Sequence, residues 1–351
     1  MEITKRFSSE IWRNLPAWFI YYNAVLLNYC NIAFLKEPRY DFVITFIFPY
    51  SLFLLYYYAR LRNDEEIQEG LKRRYFFILT AATFSAIALT TIFSKPVKLG
   101  ADWASHFDSF IWGYEASNVL FTALIAAHCF KFRGAKAFLI FYGAAFLYGM
   151  VLESGGITMG YFREDHFHFY LPLFSAPVAT MFGWSTVFYP CVFLLDGVRK
   201  GLSVIGERSF VWQGVFVAAI AVMFDLQIDP FATAMGVWRW NPLFTTENTY
   251  YLFDVPIINY ISWFSAVFSF GAVYYLWEFK MSHWVEFRRS LAMLASLPLI
   301  LVCATIIEFT ALGVIEGFNG PSWVILEDYY HSGMPLARAP KKGKMENWEH
   351  D

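Results

Sequence analysis

Apolar runs close to twenty residues long recur from one end of this chain to the other. They lie at about 17–36, 42–60, 75–94, 110–130, 135–155, 172–196, 210–229, 255–279 and 290–312. A helix of that length crosses a hydrocarbon core of about 30 Å. In lipid every backbone polar group needs an internal partner, which leaves only helices and closed barrels as spanning structures. The runs do not alternate polar with apolar, so a transmembrane barrel is excluded. Charged residues make up 16% of the chain, against about 25% in soluble proteins. The sequence therefore predicts an all-α fold, a polytopic transmembrane bundle of eight or nine helices forming one integral-membrane domain over 1–351. A last apolar patch near 322–326 is too short to span and precedes a polar tail within 313–351.

Loop charges set an expected orientation. Taking the loops alternately, one side collects Lys5, Arg6, Arg13, Arg60, Arg62, Lys72 to Arg74, Lys131, Arg133, Lys136, Arg199, Lys200, Arg208, Lys280, Arg288 and Arg289. The other holds Lys36, Arg39, Lys95, Lys98, Arg163 and Arg239. The richer side is cytoplasmic by the positive-inside rule, so the N-terminus is expected inside a bacterial inner membrane. The basic tail with Arg338 and Lys341 runs against that rule if there are nine spans. The first run lacks a cleavage site of small residues and is expected to remain as an anchor. A net charge of −2 without a basic surface argues against a nucleic-acid partner. Cys30, Cys129, Cys191 and Cys303 each lie in an apolar run and read as small buried hydrophobes.

One pattern occurs twice. Glu153 is followed seven residues later by Gly160, as Asp229 is by Gly236. Each glycine is followed by an aromatic and an arginine, Phe162-Arg163 and Trp238-Arg239. Then come Phe174-x-x-Pro177 and Phe253-x-x-Pro256, each proline followed seven residues later by a tryptophan, Trp184 and Trp263. The sequence predicts a duplicated core over 135–280, each copy a helix, an acidic end, an aromatic loop and a second helix. The helices of 1–134 precede it. Ser154-Gly155-Gly156 is expected to break one helix, and Pro230 to end another at Asp229.

Asp225 and Asp229 share a helix face. With Glu153, Glu115 and Glu308 they reach a similar depth and predict a polar pocket in the outer half of the bundle. Intramembrane carboxyls are costly and mark function by default, although a structural hydrogen bond suits Glu115 or Glu308 equally well. Glu164, Asp165, His166 and His168 invite a metal reading, but His-x-His alternates faces on a strand and no HExxH supports it. They read as hydrated charges of an interfacial loop, with no metal site. No Walker loop, GxGxxG or GxSxG is present, and no cofactor is expected.

Asp229-Pro230, Gly236-Val-Trp238-Arg-Trp240, Tyr250-Tyr251, Val255-Pro256, Asn259 and Trp263 resemble a motif of the carotenoid biosynthesis membrane proteins. Glu153-Ser-Gly-Gly156, Thr158 and Gly160 resemble that family's other motif, the likeness covering about 150–265. Where the family tends to carry Tyr-x-Tyr, this chain has His166-Phe-His168-Phe-Tyr170. The resemblance implies a cofactor-independent hydratase, a hydro-lyase acting on linear carotenoid ends, with a lipophilic polyene or isoprenoid as substrate.

Such a reaction needs a proton donor, a tolerated tertiary cation and a positioned water. Glu153, Asp229 and Asp225 are the candidate acid and base. Trp238, Trp240, Trp184 and Trp263 are candidate walls whose faces stabilise a cation, with Tyr251 and Asn259 beside them. The tryptophans also suit an interfacial belt. A non-catalytic pigment or isoprenoid binder, or a complex subunit, needs the cavity without the chemistry. A transporter fits repeats but wants its acids near the midplane.

Overall fold

The computed structural model describes residues 10–34, 40–62, 69–93, 103–202, 209–245 and 247–331. The basic tail and several loop cations that set the expected orientation lie outside these residues. Eleven helices are named in chain order: α1 (Leu15–Phe34), α2 (Tyr40–Arg62), α3 (Glu69–Phe93), α4 (Trp103–Leu139), α5 (Ala145–Met159), α6 (Val178–Leu202), α7 (Phe210–Met235), α8 (Ile257–Lys280), α9 (Glu286–Ala295), α10 (Leu297–Ile315) and α11 (Pro321–His331). Among the described residues, five stretches are long and apolar enough to cross a membrane. They are Ala104–Met159, Val178–Arg199, Phe210–Met235, Ile257–Lys280 and Leu297–Ile315. The first has 56 residues and turns at Gly134, whose φ of 84° is not helical, so it holds two of the expected runs. A π turn, Ile140–Ala144, leads from α4 into α5.

Three expected boundaries need correction. Ser154-Gly155-Gly156 does not break α5, which continues to Met159. A Cβ at Gly156 would lie 2.6 Å from the Phe162 ring, so that glycine admits the ring and leaves the helix intact. Pro230 does not end α7, which continues to Met235 and places Asp229 inside the helix. In lipid an unwound turn would leave backbone groups without partners, so the helix persists past its proline. Both helices stop at a left-handed glycine, Gly160 at φ 88° and Gly236 at φ 76°. Each is closed by the same pair of bonds: Gly160 N to Ile157 O and Tyr161 N to Gly156 O, then Gly236 N to Thr233 O and Val237 N to Ala232 O. This is the Schellman arrangement, in which glycine removes the Cβ penalty of the left-handed turn. Third, the run expected at 290–312 is divided at Ser296, with amphipathic α9 before it and apolar α10 after it. Ser296 Oγ donates to Ala292 O at 2.7 Å, and Pro298 opens the first turn of α10.

After the two glycines the chain forms paired short strands. β1 (Phe162–Arg163) and β2 (Arg239–Trp240) are antiparallel, with Phe162 opposite Trp240 and Arg163 opposite Arg239. β3 (Tyr251–Leu252) folds back on β4 (Val255–Pro256) through Phe253 and Asp254, both at positive φ.

The centre of the bundle is α5 to α8. Helices α7 and α8 pack along their length, and Gly214 on one faces Gly271 on the other. Small residues let backbones approach where no hydrophobic force drives helices together. Helices α1 and α4 cover the α6–α7 flank, while α10 and α11 cover the α8–α5 flank. A Cβ at Gly214 would lie 2.9 Å from Ala272 Cβ and 3.0 Å from Phe268 O, and backbone cannot yield as a side chain can. Gly214→Ala is therefore expected to destabilise the bundle by about 1–3 kcal/mol. Thermal unfolding in detergent reads this as a lowered midpoint.

Candidate functional site

A large cavity of about 1520 Å³ opens between the α5–α8 centre and its flanking helices. Its wall uses matching positions of the central helices. On α6, Ala179, Thr180, Gly183, Trp184 and Val187 line it; on α8, Ile258, Asn259, Ser262, Trp263 and Ala266 do so at the same distances from Pro256. Leu152, Glu153, Gly155 and Gly156 of α5 are matched by Ile228, Asp229, Phe231 and Ala232 of α7, at equal distances before the two capping glycines. Leu120 is 58% exposed and Tyr22 50% on one flank, Ile306 59% and Tyr330 74% on the other, yet all four line the cavity. The cavity thus has exposed lining residues on both flanks.

Four carboxyl groups stand in this wall: Glu153, Glu164, Asp229 and Glu308. Trp184 Nε1 donates to Glu153 Oε2 at 2.8 Å. Gly149 makes room for the Trp184 ring, since a Cβ there would approach it to 2.5 Å. Trp184 and Trp263 stack with centroids 4.2 Å apart and planes 13° apart. Asn259 Nδ2 donates to Asp225 Oδ2 at 2.9 Å and also to Asp229 Oδ2. The Ser262 hydroxyl donates to Glu308.

Asp225 lies behind Asp229, 1% exposed and outside the cavity wall. Its carboxyl and that of Asp229 form one pair on the Asn259 amide, and Glu164, on which the charge of Glu153 acts, forms a second pair with Glu153. The centre therefore holds two carboxyl pairs, drawn from α5, α7 and the loop after β1.

Glu164 was expected to be a hydrated loop charge and is instead 3% exposed. It follows Arg163 directly after β1, and Thr180 Oγ1 donates to its Oε2 at 3.0 Å. Burial, and then the charge of Glu153, holds its carboxyl well above the ordinary range, while the Thr180 bond pulls weakly the other way. The position after the arginine carries Glu164 in one stretch and Trp240 in the other, so the repeated pattern offers no signal for it. Thr180 did have a signal, because it lies as far past Pro177 as Asn259 lies past Pro256.

Among the remaining expected residues, Trp238 and Trp240 line the cavity. Trp240 is fixed by a 3.2 Å bond from Nε1 to Thr233 Oγ1 and packs on Phe162. Tyr251 does not line it: its hydroxyl donates to Phe244 O at 2.6 Å and closes the hairpin loop. Glu115 was expected at the level of the other acids, but it fastens a loop. It accepts from the His168 backbone at 3.0 Å and meets His168 Nδ1 at 2.7 Å. His168 Nε2 meets Asp108 at 3.0 Å, and the ring stacks on Trp112 with centroids 4.0 Å apart. Desolvation opposes the charged imidazole, but the bonds to Glu115 and Asp108 outweigh it and raise its pKa. Among the described residues no three His, Cys, Asp or Glu side chains are placed to hold a metal ion.

A family model described as carotenoid biosynthesis protein matches residues 113–324, more than half of the chain. No curated protein and no solved structure gives a match. The matched stretch contains every acid of the cavity wall and reaches beyond the residues that carry the motif likeness. This integral membrane protein belongs to the carotenoid biosynthesis protein family.

Proposed function

We propose that the protein adds water to a terminal carbon–carbon double bond of a linear carotenoid or related isoprenoid, without a cofactor. The observation that carries this reading is that Glu153 and Asp229, from separate helices, both stand in the wall of one largely apolar cavity. A carboxyl group donates its proton to the less substituted alkene carbon. The tertiary cation that results is held against the stacked faces of Trp184 and Trp263, with Trp238 and Trp240 on the adjoining wall. Such faces are worth about 2 kcal/mol or more to a desolvated cation. Water then attacks, and a carboxylate accepts its proton. Several carboxyls in one wall suit this cycle, because one can give the first proton while another takes the second. A volume of about 1520 Å³ exceeds the roughly 300–1,000 Å³ of a drug-sized site and suits a long chain.

The matched caps, the paired strands and the stacked tryptophans support reading the two central units as copies of one ancestor. The excess of loop cations on one side supports a cytoplasmic N-terminus in a bacterial inner membrane. A pigment-binding scaffold would use the same cavity, but it has no need of four carboxyls in an apolar wall.

Expression in a bacterial host that accumulates lycopene tests the reading by liquid chromatography and mass spectrometry. A pigment heavier by one water is expected. Glu153→Gln and Asp229→Asn should each lower its yield by about 10²–10⁴-fold at equal protein level, the usual share of general acid–base catalysis. Unchanged yield in both variants would contradict the assignment.

Glu164 supplies a pH prediction. Its folded-state pKa is raised above the unfolded value, so the folded protein holds this proton more tightly. The stability it contributes is present below the unfolded carboxylate pKa and is lost as pH rises through the folded one. Glu164→Gln should therefore flatten the fall in melting temperature from acidic to alkaline pH, measured in detergent. A fall of unchanged steepness would place the alkaline loss elsewhere.

A further inference from the structure

The cavity uses matching positions along α6 and α8, and among these one is polar on α8 alone. Three residues past Thr180 stands Gly183, with open space where a Cβ would be. Three residues past Asn259 stands Ser262, and its hydroxyl is bound to Glu308. Both Ser262 and Glu308 line the cavity. Glu308 belongs to α10, the most apolar of the spanning helices, with a mean hydropathy of 2.2. A carboxyl placed in such a helix is costly and marks function by default. The serine supplies one hydrogen bond to a group with several acceptor positions. Asn259, which holds Asp225 and Asp229, lies one helical turn from Ser262, about 4.5 Å along the axis. A hydroxyl and a carboxyl at that height offer small-molecule hydrogen bonding beside the reacting carboxyls.

We propose that Ser262 and Glu308 hold the water molecule that adds to the substrate. This rests on the hydratase reading above. Proton transfer from a carboxyl forms the new C–H bond and leaves the tertiary cation. The oxygen of the held water forms the C–O bond, one of its protons passes to a carboxylate, and the sum is one water added. Without the held water, the cation loses a proton from an adjacent carbon to the carboxylate and forms a double-bond isomer of unchanged mass. The pair therefore governs how the cation partitions, and cation formation proceeds without it.

The test compares the hydrate-to-isomer ratio in the lycopene-accumulating host for the unaltered chain, Glu308→Leu, Glu308→Gln and Ser262→Ala, with protein levels measured alongside. Leucine suits an apolar helix, and Ser262→Ala carries the test if a Glu308 variant fails to accumulate. The ratio should fall about tenfold in Glu308→Leu, the effect of losing one hydrogen bond to a carboxyl group. It should fall less in Ser262→Ala and recover in part with Glu308→Gln. A purely structural role would lower total conversion and leave the ratio unchanged, which would overturn the proposal. Failure of the unaltered chain to form any hydrate would overturn the hydratase reading and this proposal with it. A hydrate formed at an unchanged ratio in every variant overturns the water site alone.

Discussion

A carboxyl group inside a membrane bundle persists only where a neighbouring element supplies its hydrogen bonds. That constraint organises the centre of this protein. Trp184 serves Glu153, Thr180 serves Glu164, Asn259 serves Asp225 and Asp229, and Ser262 serves Glu308. All four donors lie in the first turns of α6 or α8, the helices that follow the two loops. The site therefore depends on how those loops return the chain. The glycine caps at Gly160 and Gly236 and the strand pair β1–β2 fix where they leave, while Pro177 and Pro256 fix where the next helices begin.

Hydropathy made the helices legible, because lipid tolerates no other backbone solution for runs of that length. The acids were legible for the same reason, since charge in an apolar run stands out. Boundaries were harder. Pro230 and the Ser154-Gly155-Gly156 run are breakers in water, yet α7 and α5 pass through both. Loop geometry was not legible at all. Glu164 reads as one more hydrated charge beside Asp165 until the β1–β2 pairing turns it inward. Tyr251 carries the likeness to the motif, but it spends its hydroxyl on the hairpin. Glu115 matches the depth of the other acids and faces His168, a partner 53 residues away.

The centre is nearly symmetric and its surroundings are not. Matching residues of α6 and α8 face the cavity, but α1 and α4 close one flank and α10 and α11 the other. Chemistry that separates acid from base needs such a difference. The second carboxyl of one pair comes from a loop, as Glu164, and that of the other from within a helix, as Asp225. Only one flank carries Glu308. On the proposed reading, the matched positions supply the frame, and the single positions that differ supply the directions from which proton and water arrive.

The central claim is that carboxyl protons and bulk water are the only co-reactants. The most direct measurement uses the purified protein in lipid vesicles loaded with lycopene, in deuterium oxide enriched in oxygen-18. The account predicts a product carrying one carbon-bound deuterium and one oxygen-18, formed with nothing else added. A product without solvent oxygen, or no conversion until a nucleotide or redox partner is supplied, would contradict it.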